Sequence, residues 1–284
     1  MIDIPIVDTH VHLWDPARIK YPWLADAEAL NKPHLLSGYR AATEGLTIEK
    51  MIFVQCEADF AQFAEEVDWV TERAREEPRI QGVVAWAPLE KGQAAREDLA
   101  KLSENPLVRG IRRIIQFEDD VAFCLRPDFV RGVQLLPEFD MTFDLCIKGD
   151  EQFKNTLELV RQCPNVQFIA DHINKPFIKE KTMAPWASYM TQLAAMPNTW
   201  CKMSGLANEA EWNVWTADDL KPYMDHVFSC FGTERTMFGG DWPVCTLATT
   251  CRTWIDTLWT AVSDFSEDEK RRLFHDNAEA FYRV

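Results

Sequence analysis

Two histidines near the start of the chain, His10 and His12, lie one residue apart in the segment Asp8-Thr9-His10-Val11-His12. The segment ends an apolar run typical of a buried strand, and alternate side chains of a strand point the same way. Both imidazoles are therefore expected on one face, where they could bind one divalent ion or act together on one substrate. Two histidines that only make core hydrogen bonds are the alternative, but burying them without a function is costly.

A carboxylate, Asp241, follows two glycines in the segment Phe238-Gly239-Gly240-Asp241-Trp242-Pro243. Glycines let a ligand or another stretch of backbone approach closely. A carboxylate in such a place could ligate a metal ion and accept a proton from an attacking water. Capping a loop is the alternative for Asp241 alone, but its combination with His10 and His12 favours a catalytic or metal-binding site.

Short apolar runs alternate with amphipathic stretches, a rhythm typical of parallel strands joined by helices. Most of the runs are too short and too uniformly apolar to be half-exposed strands, so we expect burial on both faces. The eight predicted strands cover 6–12, 51–55, 81–87, 110–115, 141–147, 166–172, 200–204 and 236–240. They predict an α/β fold, a single-domain (β/α)8 (TIM) barrel over residues 1–284, with its active site at the carboxyl ends of the strands.

Some of the connecting segments can also be placed. Apolar residues at helical spacing after Asp59 predict a helix with one buried face; they are Phe60, Phe63, Val67, Val70 and Ala74. Asp150 precedes a second helix that Pro164 ends, and Ser266 with Glu269 predicts a capping box on the last helix. Residues 13–47 hold three prolines and little helical period, so we interpret this long loop after strand 1 as a partial lid.

Composition excludes several classes of function. The chain has 30 basic and 45 acidic residues, a formal net charge of −15, so nucleic acid would be repelled. No apolar stretch approaches ~18 residues and no signal peptide is apparent, so neither a membrane span nor export is expected. Eight scattered cysteines are expected to be buried free thiols in a cytoplasmic protein. The absence of a GxGxxG or GxxxxGK motif implies no nucleotide cofactor.

These residues together resemble the amidohydrolase superfamily, whose members carry HxH on the first strand and Asp on the eighth. The chain is similar in particular to the sugar-acid lactonase branch, such as L-fuconolactone and L-rhamnonolactone hydrolases, related to pyrone-dicarboxylate lactonase. The matching segments extend nearly end to end and include Tyr21-Pro22-Trp23-Leu24, Gly110-Ile111-Arg112-Arg113, Asp171-His172-Ile173-Asn174-Lys175-Pro176, Cys201-Lys202-Met203-Ser204-Gly205-Leu206, Gly239-Gly240-Asp241-Trp242-Pro243-Val244 and Asn277-Ala278.

The resemblance implies a hydrolase that opens a sugar (aldono-)lactone, such as L-fucono- or L-rhamnono-lactone, to the sugar acid. Asp241 would activate the attacking water as general base. Positive charge for the developing oxyanion would come from Arg113, from His172, or from a metal ion held by His10 and His12.

The resemblance leaves the metal content open. Many metal-using relatives have Lys or Glu on the fourth strand and His on the fifth, where this chain offers Arg113 and Asp144. Two alternatives follow: a site that holds one divalent ion, with zinc as the candidate, through His10, His12 and Asp241, and a site that works without a metal.

Other residues near the predicted strand ends could contact the substrate, although a structural role is as good an interpretation for each. Side chains that could bind hydroxyls are Gln55, Glu57, Asp144 and Lys202, and those that could form a wall or lid are Trp14, Trp23, His34 and Trp242. The expected partner is a small-molecule sugar lactone. Neither its stereochemistry nor the oligomeric state of the protein follows from the sequence.

Two other functions compete with the lactonase. A metal-dependent decarboxylase of the same superfamily would need a histidine on the fifth strand, where Asp144 argues against it. A barrel that binds a sugar acid without turnover is the second, but His10, His12, Asp241 and Arg113 are all present, which argues against a dead site.

Overall fold

The computed structural model describes residues 2–284 and contains eight parallel strands that pair in sequence order. They are β1 (Ile6–Val11), β2 (Ile48–Val54), β3 (Ile80–Ala85), β4 (Val108–Ile111), β5 (Thr142–Leu145), β6 (Phe168–Ala170), β7 (Thr199–Met203) and β8 (Thr236–Phe238). A parallel bridge between Val11 and Trp242 joins the ends of the sheet. The sheet therefore closes into the predicted (β/α)8 barrel, with strands that are buried on both faces.

Helices follow the strands and cover the outside of the barrel. They are α1 (Leu36–Ala42), α2 (Phe63–Glu76), α3 (Ala95–Ser103), α4 (Pro127–Gln134), α5 (Asp150–Gln162), α6 (Trp186–Ala194), α7 (Leu206–Glu209), α8 (Ala217–Phe231), α9 (Cys251–Ala261), α10 (Glu267–Arg271) and α11 (Asn277–Tyr282). Within residues 2–284, every helix falls short of the length and apolarity that a membrane crossing requires.

Several predicted strands extend beyond the sheet at their carboxyl ends. The fourth was predicted to reach residue 115 but ends at Ile111, and the sixth was predicted to reach residue 172 but ends at Ala170. At the end of β6 the backbone turns into the left-handed region, with φ of 53° at His172. Apolar and polar residues past the sheet therefore belong to the loops that form the mouth of the barrel.

The predicted helices are largely present, with one correction at Phe60. The capping box of Ser266 and Glu269 forms at the start of α10, and α5 begins at Asp150. Phe60 was expected on the buried face of α2, but it lies in a 3-10 turn before that helix and is 53% exposed. The capping carboxylate of Asp59 accepts from the backbone N–H of Ala61 and starts this turn, which directs Phe60 outward.

Residues 13–47, interpreted as a lid, contain more regular structure than expected. Two short 3-10 turns, Pro22–Asp26 and Glu28–Leu30, precede helix α1. The indole of Trp14 is fully buried and donates to the carbonyl oxygen of Lys32 at 2.9 Å, which fixes the segment on the barrel. This segment is therefore a packed cover rather than a loose loop.

Glu66, on α2, is a buried carboxyl group whose charge should couple folding to pH. Burial raises the pKa of Glu66 to about 8, against the opposing hydrogen bond from the backbone N–H of Cys56. Between about pH 4.5 and pH 8, the Glu66 carboxyl group therefore stays protonated in the folded state but is ionised in the unfolded state. This contribution to stability is complete below pH 4.5 and is lost as the pH rises toward 8.

We predict that Glu66→Gln removes this pH dependence. Relative to the wild type, the variant should gain about 2–4 kcal/mol of stability between pH 5 and pH 8.5. Chemical denaturation at both pH values measures the gain, and Glu65→Gln, an exposed neighbour on the same helix, is the matched control. An equal difference between Glu66→Gln and the wild type at both pH values would contradict the prediction.

Candidate active site

The two histidines at the end of β1 meet as the sequence predicted. His10 Nε2 lies 3.2 Å from His12 Nε2, and both side chains are buried. The Nδ1 atom of His12 lies 2.7 Å from the carbonyl oxygen of Val54 and must donate to it. His12 therefore presents the lone pair of Nε2 to the site.

The orientation of His10 is set by charged groups beneath it. Its Nδ1 lies 3.4 Å from Asp171 Oδ1 and 3.3 Å from Lys202 Nζ. Donation from Nδ1 to the carboxylate leaves Nε2 as an acceptor, and Arg112 Nη1 lies 3.1 Å from Nε2. Both histidines thus direct their Nε2 lone pairs toward the same point.

Asp241 completes this group from the segment after β8. Its Oδ1 lies 3.6 Å from His12 Nε2 and 3.8 Å from His10 Nε2. Its backbone N–H donates to the carbonyl oxygen of His10 at 2.8 Å, so the barrel closure itself positions the carboxylate. A Cβ atom on Gly240 would lie 2.4 Å from Asp8 Oδ2, which explains the need for glycine before Asp241.

His172 approaches Asp241 from β6. Its Nε2 lies 4.0 Å from Asp241 Oδ1, and its Nδ1 lies 2.9 Å from the hydroxyl of Ser204. A Cβ atom on Gly205 would lie 2.7 Å from His172 Nδ1, so the ring occupies space that only glycine leaves free. Ser204 and Gly205, at the end of β7, therefore hold the ring of His172 in place.

Four consecutive non-glycine residues, His172 to Lys175, adopt the left-handed region, with φ of 53°, 47°, 55° and 52°. Each such residue costs about 1–3 kcal/mol and persists only where the surrounding structure enforces it. Strain of this kind concentrates at functional sites. The run directs His172 and Lys175 to the mouth of the barrel.

Burial and neighbouring charges set the ionisation of the site. Burial lowers the pKa of His172 to about 4, and burial also lowers the pKa of His12 and His10. Burial opposes ionisation of Asp241, but His172, His12 and His10 outweigh it and hold its pKa below the usual range. At neutral pH the site therefore combines neutral imidazoles with an ionised carboxylate.

A buried charge network supports the site from below. Lys202 Nζ lies 2.5 Å from Asp144 Oδ2 and 3.0 Å from Asp171 Oδ1. Arg112 Nη1 lies 3.2 Å from Asp171 Oδ2. Burial opposes ionisation of Asp171, but Lys202 outweighs it and keeps the pKa of Asp171 well below its usual range.

Two residues proposed as substrate contacts, Lys202 and Asp144, belong to this network. Lys202 and Asp144 are fully buried against each other, and neither lines the cavity described below. Asp144 also accepts from the hydroxyl of Tyr282 at 3.0 Å. Both charges therefore lie beneath the site, where Asp171 links Lys202 to His10.

Arg113, predicted to face the site, points away from it. Its guanidinium donates to Glu118 at 2.5 Å and to Glu90 at 3.3 Å, and it does not line the cavity described below. Arg112 lies in the site instead and donates through Nη2 to the carbonyl oxygen of Gln55 at 2.6 Å. The sheet ends at Ile111, so the alternation of the strand did not fix which arginine faces inward.

A cavity of about 750 Å³ opens above these residues. This volume is ample for a monosaccharide lactone. The predicted residues that line it are His12, His172, Asp241, Glu57, Trp23 and Trp14. Its outer wall is apolar and includes Phe60, Phe117 and Trp212, which are exposed around the entrance.

The remaining predicted contacts lie behind the cavity wall. Gln55 is fully buried and donates to Glu57 at 2.7 Å. The rings of His34 and Trp242 pack edge to face with their centroids 5.6 Å apart. His10 is also covered completely by its neighbours. These side chains hold the residues that line the cavity.

The donor set fits a divalent metal ion. Two imidazole lone pairs and a carboxylate oxygen converge at separations of 3.2, 3.6 and 3.8 Å, near the about 3.4 Å expected between tetrahedral ligands. His172 offers another nitrogen, since His10, His172 and Asp241 present ligand atoms within 4.8 Å of one another. The Arg112 guanidinium competes with a cation for His10.

Three residues of the site were not singled out from the sequence: Asp171, Arg112 and Lys175. Asp171 and Lys175 lie in the segment Asp171–Pro176, and Arg112 lies beside the chosen Arg113. The available signal was the position of these charged residues directly after an apolar strand. The burial and the orientation of these side chains depend on the left-handed turn after β6 and on the end of β4. The hydrophobic periodicity of the sequence reveals neither feature.

Comparison with known proteins supplies independent information. The model of a protein family described as amidohydrolase matches residues 7–284. The chain is 33% identical to an L-fucono-1,5-lactonase of Burkholderia multivorans, over 85% of this chain and 83% of that protein. It is 25% identical to an L-rhamnono-gamma-lactonase of Scheffersomyces stipitis, over 98% of both.

A solved structure is similar over almost the whole length. An amidohydrolase from Burkholderia multivorans, crystallised with bound zinc, superimposes with a TM-score of 0.88 and 30% identity. The match covers 99% of each chain.

Proposed function

This chain belongs to the amidohydrolase family, and on that premise we propose that it is a hydrolase that opens a sugar lactone to the sugar acid. The observation that carries the proposal is the Asp241 carboxylate in the wall of a cavity of suitable size, with nitrogens of His10, His12 and His172 within 4.0 Å of it. The similarity to proteins named L-fucono- and L-rhamnono-lactonases supports an aldonolactone as the substrate.

The proposed reaction begins with Asp241 as general base. Its Oδ1 accepts a proton from a water as the water oxygen attacks the lactone carbonyl carbon. The carbonyl electron pair moves to oxygen, and collapse of the tetrahedral intermediate breaks the bond to the ring oxygen. Asp241, or a histidine beside it, returns the proton to that leaving oxygen. The product is an open-chain acid.

Arg112 takes the position proposed for Arg113 as a fixed positive charge near the reacting carbonyl. Its guanidinium lines the cavity but is engaged with Asp171, the carbonyl oxygen of Gln55 and His10. It therefore contributes a preorganised field at the developing oxyanion. The pKa of His172, about 4, makes its ring neutral, so this histidine acts as a dipole and not as a cation.

We propose that His10, His12 and Asp241, with His172 beside them, hold one divalent metal ion, with zinc as the candidate. When bound, such an ion would polarise the carbonyl and lower the pKa of a nearby water. The zinc in the similar amidohydrolase structure supports this choice.

Metal analysis tests this proposal. We predict about one zinc per chain in the wild type and a loss of at least about 10-fold in metal affinity for His12→Ala. His226→Ala, a histidine outside the site, is the control and should retain the wild-type content. Metal-free wild-type protein with full turnover would favour the alternative of a site that works without a metal.

Acid release tests the proposed function. A pH indicator follows hydrolysis of fucono-, rhamnono-, galactono- and arabinono-lactones above the spontaneous rate, with CO2 release from aromatic acids measured in parallel. Turnover of one stereochemical set supports the lactonase. No acid release from any of the lactones, or CO2 release from an aromatic acid instead, would overturn the proposed lactonase function.

A further inference from the structure

Among residues 2–284, one lysine or arginine that lines the cavity has no carboxylate partner. Arg112, Lys148 and Lys175 all line it. Arg112 is paired with Asp171 at 3.2 Å, and Lys148 is paired with Glu209 at 2.8 Å. Within residues 2–284, no carboxylate lies within 4.0 Å of the Lys175 ammonium, although the chain carries a net charge of −15.

The backbone holds Lys175 at the reacting end of the cavity. It is the last residue of the left-handed run, with φ of 52° and ψ of 67°, and it precedes Pro176. Its backbone N–H donates to the carbonyl oxygen of His172 at 2.9 Å, which closes the turn. A lysine in a conformation that favours glycine indicates that its side chain serves a purpose at this position.

The positive charge of Lys175 acts on residues that follow two neighbouring strands, β5 and β6. At His172 it adds to burial in lowering the pKa of the imidazole. At Cys146, after β5, it opposes the rise in pKa that burial causes. Cys146, His172 and Lys175 line the same cavity, so Lys175 belongs to the part of its wall that the loops after β5 and β6 form.

We propose that the Lys175 ammonium binds the carbonyl oxygen of the lactone, and this inference rests on the proposed function. As the water oxygen bonds to the carbonyl carbon, the π electron pair moves to this oxygen, and the ammonium holds the resulting oxyanion. When the ring C–O bond breaks and its oxygen takes the proton from Asp241, the same ammonium pairs with the carboxylate of the product.

The other cations of the cavity are less suited to this contact. The Nη atoms of Arg112 already donate to His10, Asp171 and the carbonyl oxygen of Gln55. Lys148 is neutralised by Glu209. A free ammonium on a flexible stem can follow the oxygen from a neutral carbonyl to a carboxylate.

The test compares Lys175→Met, Lys175→Arg and Lys148→Met with the wild type. We expect Lys175→Met to lower kcat about 100-fold and to weaken inhibition by the sugar acid about 10-fold or more. Lys175→Arg should recover most of kcat and most of the inhibition by the sugar acid, since it keeps the positive charge and places a non-glycine residue in the same left-handed conformation. Lys148→Met, a lysine of the same cavity that already has a partner, should change either value less than about 3-fold.

Tryptophan fluorescence titrated with L-fuconate and L-rhamnonate gives product binding separately from turnover. A Lys175→Met variant with wild-type kcat and wild-type affinity for the acid would overturn the inference alone. A wild type that hydrolyses no lactone would overturn the proposed function, and the inference would fall with it. A merely structural role of Lys175 would lower the thermal midpoint of both Lys175 variants without separating them in kcat.

Discussion

Asp241→Asn should abolish hydrolysis, lowering kcat by at least about 10³-fold, while the sugar acid still binds. The amide keeps the size of the side chain and its place beside His12 and His172, but it cannot accept the proton of the attacking water. Initial rates above the spontaneous background give kcat, and fluorescence titration with the sugar acid gives binding. The two together separate loss of chemistry from loss of the cavity.

A matched control for this variant is Asp59→Asn. Asp59 lines the same cavity but pairs with Lys20 at 2.9 Å near the entrance. Asparagine can still cap the turn that follows it, so turnover should stay within about 3-fold of the wild type. Retained turnover in Asp241→Asn would remove Asp241 from the role of general base.

Arg112→Met should have the second large effect, and the neighbouring Arg113→Met should have almost none on turnover. Removing Arg112 deletes positive field at the oxyanion and leaves the buried Asp171 short of a partner. We expect kcat to fall about 10²–10³-fold, with a stability loss of about 3–5 kcal/mol. Steady-state kinetics and chemical denaturation measure the two losses.

If Arg112→Met does not fold, Arg112→Lys still allows the effects of Arg112 and Arg113 on turnover to be compared. It retains the charge beside Asp171 but loses the fork that also reaches the carbonyl oxygen of Gln55. Arg113→Met breaks contacts with Glu90, Glu118 and the carbonyl oxygen of Ile114, and none of these contacts involves the site. Equal losses of turnover in the Arg112 and Arg113 variants would contradict the assignment of Arg112 to the site.

The barrel and the central residues of the site could be predicted from the sequence for a physical reason. Strands buried on both faces leave apolar runs that are visible without any alignment. His10, His12 and Asp241 stand where such runs end, and the carboxyl ends of parallel strands meet at one face of a barrel. The prediction that they converge needed only the strand count and this rule.

The depth of polar residues could not be predicted in the same way. Lys202 and Asp144 also stand near strand ends, but each is buried because the other neutralises it across the barrel. That pairing depends on the tertiary arrangement of β5 and β7. A charged residue near a strand end is therefore a candidate for the site or for the network beneath it, and sequence alone does not separate the two.

The directions in which side chains point could not be predicted where the backbone departs from regular strand geometry. Alternation along β4 stops at Ile111, so it could not decide between Arg112 and Arg113. After β6, the left-handed run sends Lys175 into the cavity without any periodic pattern. These departures from regular structure lie at the mouth of the barrel, where the proposed chemistry takes place.

The most direct test of the central claim is hydrolysis in ¹⁸O-labelled water, with the label located in the product by mass spectrometry. Because water activated by Asp241 attacks the carbonyl carbon, one ¹⁸O is expected in the carboxylate of the sugar acid, which should form faster than in a parallel sample without enzyme. Label in the hydroxyl released from the ring, or no acid above the sample without enzyme, would contradict it.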